Sequence, residues 1–235
     1  MREVFLERRV QKFPAGSALI EVGNTKVLCA ATIEDKIPSF LKGTGTGWLS
    51  AEYSMLPGSS TERIPRERTK LGGRTAEIQR LIGRALRSVT DLSALGERSI
   101  VIDCDVLQAD GGTRTASITG AFVALVEACE TIYKVGGVFP VKDFVAAISA
   151  GLTADGEKIL DLCYAEDSSA AADCNVVMTG AGELVEVQIT AEQNPFTRAQ
   201  LNELLDLAQN GIDELISAQK NALGRELVWR VGRVG

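Results

Sequence analysis

The chain contains no histidine, and this absence removes several classes of catalytic chemistry. A Ser-His-Asp triad, a Cys-His pair and a histidine-ligated zinc ion are all excluded. Proton transfer must therefore use a carboxylate, lysine, tyrosine, cysteine or water. An enzyme built on this sequence is expected to depend mainly on positioning its substrates and on charge.

The sequence also has few cysteines and no long apolar run. Its five cysteines are odd in number and scattered, without a CxxC pair, which indicates reduced, buried thiols rather than disulfides or a zinc site. No segment approaches the roughly 18 unbroken apolar residues of a membrane helix. The first residues lack the apolar core of a secretory signal. These features predict a cytoplasmic protein with no membrane partner.

Charge is distributed unevenly along the 235 residues. Between Glu62 and Arg87 there are eight basic and three acidic residues, a net charge of +5, although the whole chain carries −6. The remainder of the chain therefore carries −11. Such a local reversal of sign indicates that an anionic partner is held at this segment.

Residue patterns predict an α+β protein with helices packed on mixed sheets. β-rich runs bounded by turn residues predict strands over residues 17–22, 27–33, 48–53, 99–107, 144–152, 158–163, 175–179 and 183–190. Apolar periodicity, or in the second helix a high content of alanine and glycine, predicts helices over residues 75–90, 115–132 and 198–222. This order indicates two βαβα-like halves in one compact domain, residues 1–235, with an extended tail of unassigned role over residues 223–235.

One segment, residues 103–117, passes from a predicted strand through Gly111 and Gly112 into a predicted helix. Glycine lets the backbone approach a ligand closely, and the first turn of a helix offers free N–H groups and the positive end of its dipole. Thr113 adds a hydroxyl, and Arg114 adds a cation suited to two phosphate oxygens. The segment is a candidate anion site, although an ordinary capped turn explains the same composition equally well.

Four runs of the sequence resemble the RNase PH family of phosphate-dependent 3′-to-5′ exoribonucleases. They are WLSAEYSMLP at residues 48–57, GRTAEIQRLIGRALR at 73–87, the segment from LGER at 95–98 through DCD at 103–105 to ADGGTRTASITGA at 109–121, and EDSS at 166–169 followed by Asp173. The resemblance covers nearly the whole chain in the right order. It implies an RNase PH-type fold and a reaction in which inorganic phosphate attacks the last phosphodiester of an RNA 3′ end, releasing a nucleoside 5′-diphosphate.

The resemblance also implies roles for individual residues. The co-substrate phosphate is assigned to four positions: Arg74, Gly112, Thr113 and Arg114. Asp167 and Asp173 match an acidic pair that serves catalysis and holds a divalent metal, and oxygen ligands suit Mg²⁺ or Mn²⁺. Arg63 and Arg66 match RNA-contacting arginines in an exposed loop. A further basic group on one helix face is left outside the site because subunit-interface ion pairs explain it equally well: Arg80, Arg84 and Arg87.

The family further implies a hexameric ring, a trimer of dimers, that admits a single-stranded RNA 3′ end such as that of a transfer RNA precursor. The sequence departs from the family pattern in three places. The usual N-terminal Asp-Gly-Arg segment is absent, Gly58 stands where arginine is frequent, and Ile189 and Gln193 stand where glycine is usual. Because a β-branched residue rarely adopts φ > 0, Ile189 predicts an altered loop.

Two alternative functions are compatible with the sequence. A non-catalytic RNA-binding subunit of an RNase PH-type ring would keep the fold, and the departures from the family pattern leave it open. A nucleotide-dependent small-molecule kinase is suggested by the glycine-rich residues 43–47, although no GxxxxGK[ST] motif is present.

Overall fold

The computed structural model describes residues 1–67, 70–133, 137–191 and 195–233, and these contain nine strands and four α-helices. The strands are β1 (Val4–Arg8), β2 (Gly16–Val22), β3 (Thr25–Glu34), β4 (Trp48–Met55), β5 (Ser99–Gln108), β6 (Val145–Leu152), β7 (Lys158–Leu160), β8 (Ala172–Thr179) and β9 (Leu184–Ala191). The helices are α1 (Gly73–Ser88), α2 (Thr113–Ile132), α3 (Tyr164–Asp167) and α4 (Arg198–Arg230). The predicted α+β class, with mixed sheets and packed helices, is confirmed.

The first sheet has the strand order β1-β2-β3-β5-β4. Its pairs are antiparallel except β4 and β5, which run parallel. A tight turn at Gly23, which has φ +54°, joins β2 to β3 in a hairpin. Strand β1 was not predicted, because its alternation of half-buried and exposed residues gives only a weak apolar signal.

The second sheet has the order β7-β6-β8-β9 and is antiparallel throughout. Strand β6 packs against both α2 and α4 and is buried at every position. The predicted strand over residues 158–163 is shorter than expected and ends at Leu160. The reason is Asp161, whose φ of +63° takes the backbone out of the extended region.

Helix α2 is the central element, since it contacts β2, β3 and β5 of the first sheet and β6 of the second. By length and composition it is apolar enough to cross a membrane, but 83% of its most apolar window is buried inside the protein. Its apolar character is thus explained by its place in the hydrophobic core.

The last helix corrects the prediction for the C-terminal residues. The helix begins with a capping box of Thr197 and Gln200, in which the Gln200 N–H donates to the Thr197 hydroxyl at 3.2 Å. Residues 223–235 were expected to form an extended tail, but helical turns continue to Arg230 beyond a non-helical Gly224. Leu223 and Leu227 are both buried, and their apolar contacts hold this final segment against the core.

Candidate active site

A cleft of about 1560 Å³ opens where the N-terminal end of α2 meets α3 and β8. It is lined by seven of the eight residues to which the sequence assigned roles: Arg63, Arg74, Gly112, Thr113, Arg114, Asp167 and Asp173. These residues come from loops, helices and a strand that lie far apart in the sequence. The fold therefore brings the predicted phosphate residues and the predicted acidic pair to one surface.

The turn before α2 depends on two glycines. Gly111 and Gly112 have φ of +76° and +65°, in the left-handed region that favours glycine. A Cβ atom on Gly111 would lie 2.3 Å from the carbonyl oxygen of Leu162, so the turn packs directly against the chain that leads into α3. Gly112 is the N-cap of α2, and the first N–H groups of a helix have no acceptor within it. This geometry suits an anion.

Thr113 is fixed by a tyrosine to which the sequence analysis gave no role. The hydroxyl oxygens of Tyr53 and Thr113 lie 2.9 Å apart, and both residues are buried. Burial raises the pKa of the Tyr53 phenol, and the nearby Arg74 and Arg114 offset only part of that rise. The phenol is therefore neutral at physiological pH. Its position on the inward face of β4 was a usable signal, because a buried tyrosine hydroxyl needs a partner.

Arg114 is held by a chain of polar side chains. Its guanidinium donates to Gln188 Oε1 at 2.8 Å, and the Gln188 amide in turn donates to Glu77 at 2.8 Å. Glu77 also lies 3.8 Å from the Arg114 guanidinium. Helix α1 and strand β9 thus orient the arginine from outside the cleft, leaving its charge at the phosphate turn.

Arg74 occupies the second position of α1 and is exposed to the cleft. A cation there opposes the helix dipole, so it needs a compensating anion. The Glu67 carboxylate accepts the Gly72 N–H at 3.1 Å and the Thr75 hydroxyl at 3.1 Å, which caps the helix start. The helix end is thereby stabilised without engaging Arg74 itself.

The two predicted acidic residues reach the cleft from different elements. Asp167 is the exposed last residue of α3, and Asp173 lies half-buried on β8, opposite Thr190 of β9. Among the residues that the structure describes, no group of three or more His, Cys, Asp or Glu is placed to hold a metal ion. The cleft therefore offers two carboxylates from different elements, and carboxylate oxygens are ligands of the kind that Mg²⁺ takes.

The two predicted RNA-binding arginines are separated by the structure. The described part of their loop, residues 57–67, has no helix or strand, as predicted, and Arg63 lines the cleft. Arg66 instead lies near Asp105 of β5, where its charge offsets part of the burial that raises the pKa of that carboxyl. In this conformation Arg63 is placed to meet a ligand in the cleft and Arg66 is not.

The remaining sequence features are accounted for within the chain. Of the basic face on α1, Arg84 pairs with Glu186 at 2.7 Å, and Arg87 donates to a backbone carbonyl of β4. The glycine-rich residues 43–47 donate backbone N–H groups to the chain's own Glu97, which argues against a phosphate-binding role in a kinase. Ile189 lies in regular β9, paired with Cys174, so its backbone is extended and needs no φ > 0; Gln193 lies outside the described residues.

Solved structures define the class of fold. Rice Rrp46 matches with a TM-score of 0.77 at 18% identity, covering 95% of this chain and 96% of that chain. The Archaeoglobus fulgidus exosome with RNA bound to its active site matches with a TM-score of 0.78 at 21% identity, covering 93% of this chain and 89% of that chain. The fold is that of the RNase PH-type subunits of exosomes.

Sequence relatives define the family. Two family models match, both described as the 3′ exoribonuclease family: domain 1 over residues 1–129 and domain 2 over residues 143–211. Ribonuclease PH of Moorella thermoacetica is 61% identical over 236 residues, covering 99% of this chain and 94% of that protein. Ribonuclease PH of Bacillus cereus is 57% identical over 228 residues, covering 95% of this chain and 93% of that protein. The chain belongs to the RNase PH family of phosphate-dependent 3′ exoribonucleases.

Proposed function

We propose that this protein removes nucleotides from the single-stranded 3′ ends of transfer RNA precursors and other RNAs, with the cleft at the start of α2 as its active site. The observation that carries this assignment is the convergence of a glycine turn, two arginines and two carboxylates on one surface. A phosphorolytic enzyme must bring two anions together, and cations with oriented N–H donors offset their repulsion.

Phosphate is bound at Gly112, Thr113, Arg114 and Arg74. The α2 N-terminus and the Thr113 hydroxyl supply hydrogen-bond donors, while the two guanidinium groups supply charge. An oxygen of this phosphate attacks the phosphorus of the terminal phosphodiester, and a new P–O bond forms there. The bond from that phosphorus to the 3′ oxygen of the preceding nucleotide breaks, and the released product is a nucleoside 5′-diphosphate.

Asp167 and Asp173 act on the leaving side of the reaction. Together with substrate phosphate oxygens they would hold Mg²⁺ or Mn²⁺, which stabilises negative charge when bound. The departing 3′ oxygen gains a proton as it leaves, so the shortened RNA again ends in a hydroxyl. Both aspartates line the cleft, and we infer that one of them donates that proton.

RNA enters along the basic loop, where Arg63 lines the cleft and contacts the RNA phosphates. Such contacts release counterions, so RNA binding weakens steeply as salt rises. We also propose that the protein assembles as a hexamer, a trimer of dimers, in the cytoplasm. The fold it shares with exosome subunits supports the assembly, and its free cysteines support the location.

The assignment is tested by incubating the protein with a short 3′-tailed RNA and Mg²⁺, with and without inorganic phosphate, and separating nucleoside mono- from diphosphates. Diphosphates are expected only with phosphate present. Arg114→Ala is expected to lower kcat/KM by roughly 10²–10³, whereas Arg98→Ala, which removes a half-buried arginine that is paired with Asp35 and does not line the cleft, leaves the rate unchanged. Phosphate-independent release of monophosphates would overturn the proposal.

The same experiment separates the enzyme from the non-catalytic alternative. RNA binding without turnover would identify a binding subunit of a ring. The 61% identity to a protein named Ribonuclease PH favours the enzyme. Light scattering on the purified protein tests the assembly, and a mass six times that of the 25.1 kDa chain is expected.

A further inference from the structure

Arg2 lies behind the phosphate turn and joins it to the second sheet. Its Nε and its backbone N–H both donate to Asp161 Oδ2 at 2.9 Å, and its Nη2 donates to Asp161 Oδ1 at 2.6 Å. Its Nη1 donates to the backbone carbonyl of Asp110 at 2.5 Å. One guanidinium therefore holds a carboxylate of the second sheet and the residue immediately before the two glycines.

Asp161 is held in an unusual backbone conformation to make this contact. It follows β7 with φ +63°, and its N–H donates to the Ser149 carbonyl of β6 at 2.7 Å. The next N–H, of Leu162, donates to the Ser149 hydroxyl at 3.1 Å. The carboxylate is 4% exposed and the Arg2 side chain 17% exposed, so the pair is largely shielded from solvent. Non-glycine residues in the left-handed region cluster at functional sites.

Asp110 connects the same turn to its other neighbours. Its Oδ1 accepts the Tyr164 N–H at 3.2 Å, which ties the turn to the start of α3. Its own N–H donates to the Thr25 hydroxyl at 2.9 Å, and that hydroxyl donates to the Gly111 carbonyl at 2.6 Å. The turn is thus fixed on one side by the β2–β3 hairpin and on the other by α3, which carries Asp167.

The Arg2 guanidinium also fills the space behind the turn. A Cβ atom on Gly112 would lie 3.2 Å from Arg2 Nη2, so the arginine packs against the phosphate-binding backbone itself. Neither Arg2 nor Asp161 is among the described residues that line the cleft. Their contacts act on the turn from the rear, where they touch no substrate.

We propose that Arg2 and Asp161 are positioning residues that set the distance between the phosphate-binding turn and the Asp167 side of the active site. The planar, bidentate guanidinium is suited to this because it fixes orientation as well as charge. The proposal rests on the proposed phosphate site at Gly112–Arg114. It predicts that damage to the pair weakens phosphate use specifically, rather than lowering stability alone.

Asp161→Asn is the informative variant, since asparagine tolerates positive φ and keeps the side-chain shape while removing the charge. The matched control is Glu127→Gln, which removes a carboxylate that is 6% exposed and paired with Arg8 of β1 at 3.2 Å, remote from the cleft. We expect Asp161→Asn to raise the KM for phosphate roughly tenfold, the lower end of the loss typical of one charge-assisted contact. RNA affinity without phosphate stays unchanged, and Glu127→Gln keeps the phosphate KM while its melting temperature falls.

Arg2→Lys provides a second, milder test, because lysine keeps the charge but cannot form the forked contact. The phosphate KM of Arg2→Lys is expected to lie between those of the wild type and Asp161→Asn. If Asp161→Asn does not fold, the KM of Arg2→Lys alone tests the positioning role. An unchanged phosphate KM in Arg2→Lys and in folded Asp161→Asn, with only the melting temperature lowered, would overturn the proposal. Arg114→Ala distinguishes a failure of the positioning role from a failure of the phosphate site. If Arg114→Ala leaves the phosphate KM unchanged, the proposed phosphate site itself is wrong.

Discussion

The hydroxyl of Tyr53 on β4 lies 2.9 Å from the hydroxyl of Thr113 at the first position of α2. Tyr53 is only 3% exposed, so no bulk water reaches this contact to replace it. The parallel pairing of β4 with β5 places Tyr53 opposite Cys104, in the strand that leads to the phosphate turn. The first sheet thus supports the orientation of a proposed phosphate ligand.

Tyr53→Phe removes that support with little change in volume. The Thr113 hydroxyl then loses its buried partner, and we expect the phosphate KM to rise roughly three- to tenfold, in line with about 1 kcal/mol for one neutral hydrogen bond. Tyr133→Phe is the control, because its ring packs on Phe139 away from the cleft. Steady-state kinetics at varied phosphate tests the prediction. A lower melting temperature with an unaltered phosphate KM would show that the contact is only structural.

Gly58→Arg is expected to strengthen RNA binding. Gly58 is exposed and lines the cleft, and a Cβ atom there would meet no heavy atom within 4 Å, so the start of an arginine side chain meets no neighbour. One added phosphate contact increases the slope of log K against log salt by about 1. Ser217→Arg adds the same charge on an exposed position of α4 and serves as the control. Equal slopes for the two variants in a salt titration would contradict the prediction.

Asp103→Asn is expected to stabilise the protein at neutral pH. Burial, then the charges of Asp105 and Glu52, raise the pKa of Asp103 above its ordinary 3.8. Because the pKa of Asp103 is higher in the folded protein, ionisation of this carboxyl disfavours the folded state. The free energy of unfolding is therefore highest below pH 3.8, where Asp103 is protonated in both states, and it decreases as pH rises and Asp103 ionises. Glu52 is its register partner on β4, and such like-charge neighbours cost about 0.2–1 kcal/mol.

Asp103→Asn should therefore increase the free energy of unfolding at pH 7, and this increase should become smaller as the pH falls toward 4. Urea unfolding at the two pH values measures it. Asp35→Asn, which alters a 93% exposed carboxylate paired with Arg98, is expected to give no gain at either pH. A gain for Asp103→Asn that is the same at both pH values would exclude the titration as its cause.

The sequence was sufficient for the elements whose signal is local. Helix α1 follows from apolar periodicity, the strands other than β1 follow from β-rich runs, and the Gly111–Gly112 turn follows from residues that adopt φ > 0 easily. The location of Asp173 beside the phosphate turn was accessible only through the family resemblance. Nothing in its local spacing shows that β8 passes the N-terminal end of α2.

Other parts of the site depend on contacts between distant residues, which periodicity does not report. Gln188 reaches Arg114 across 74 positions, and Arg2 reaches Asp161 across 159. The helix after Gly224 was missed for a different reason. A glycine outside helical φ and ψ resembles a helix end, and only the burial of Leu227 shows that the apolar stripe resumes.

Leu227→Ala tests whether these final turns contribute to stability. Leu227 is 4% exposed, and deletion of such a side chain leaves a cavity that costs about 2–5 kcal/mol. Trp229, two residues further, is 60% exposed and stacks on Arg233, so Trp229→Ala is expected to cost less than about 1 kcal/mol. Denaturant unfolding of both variants gives the comparison. Equally small losses of unfolding free energy in the two variants would mean that residues 225–230 are not part of the cooperative core. A leucine in an extended tail leaves no cavity when its side chain is shortened.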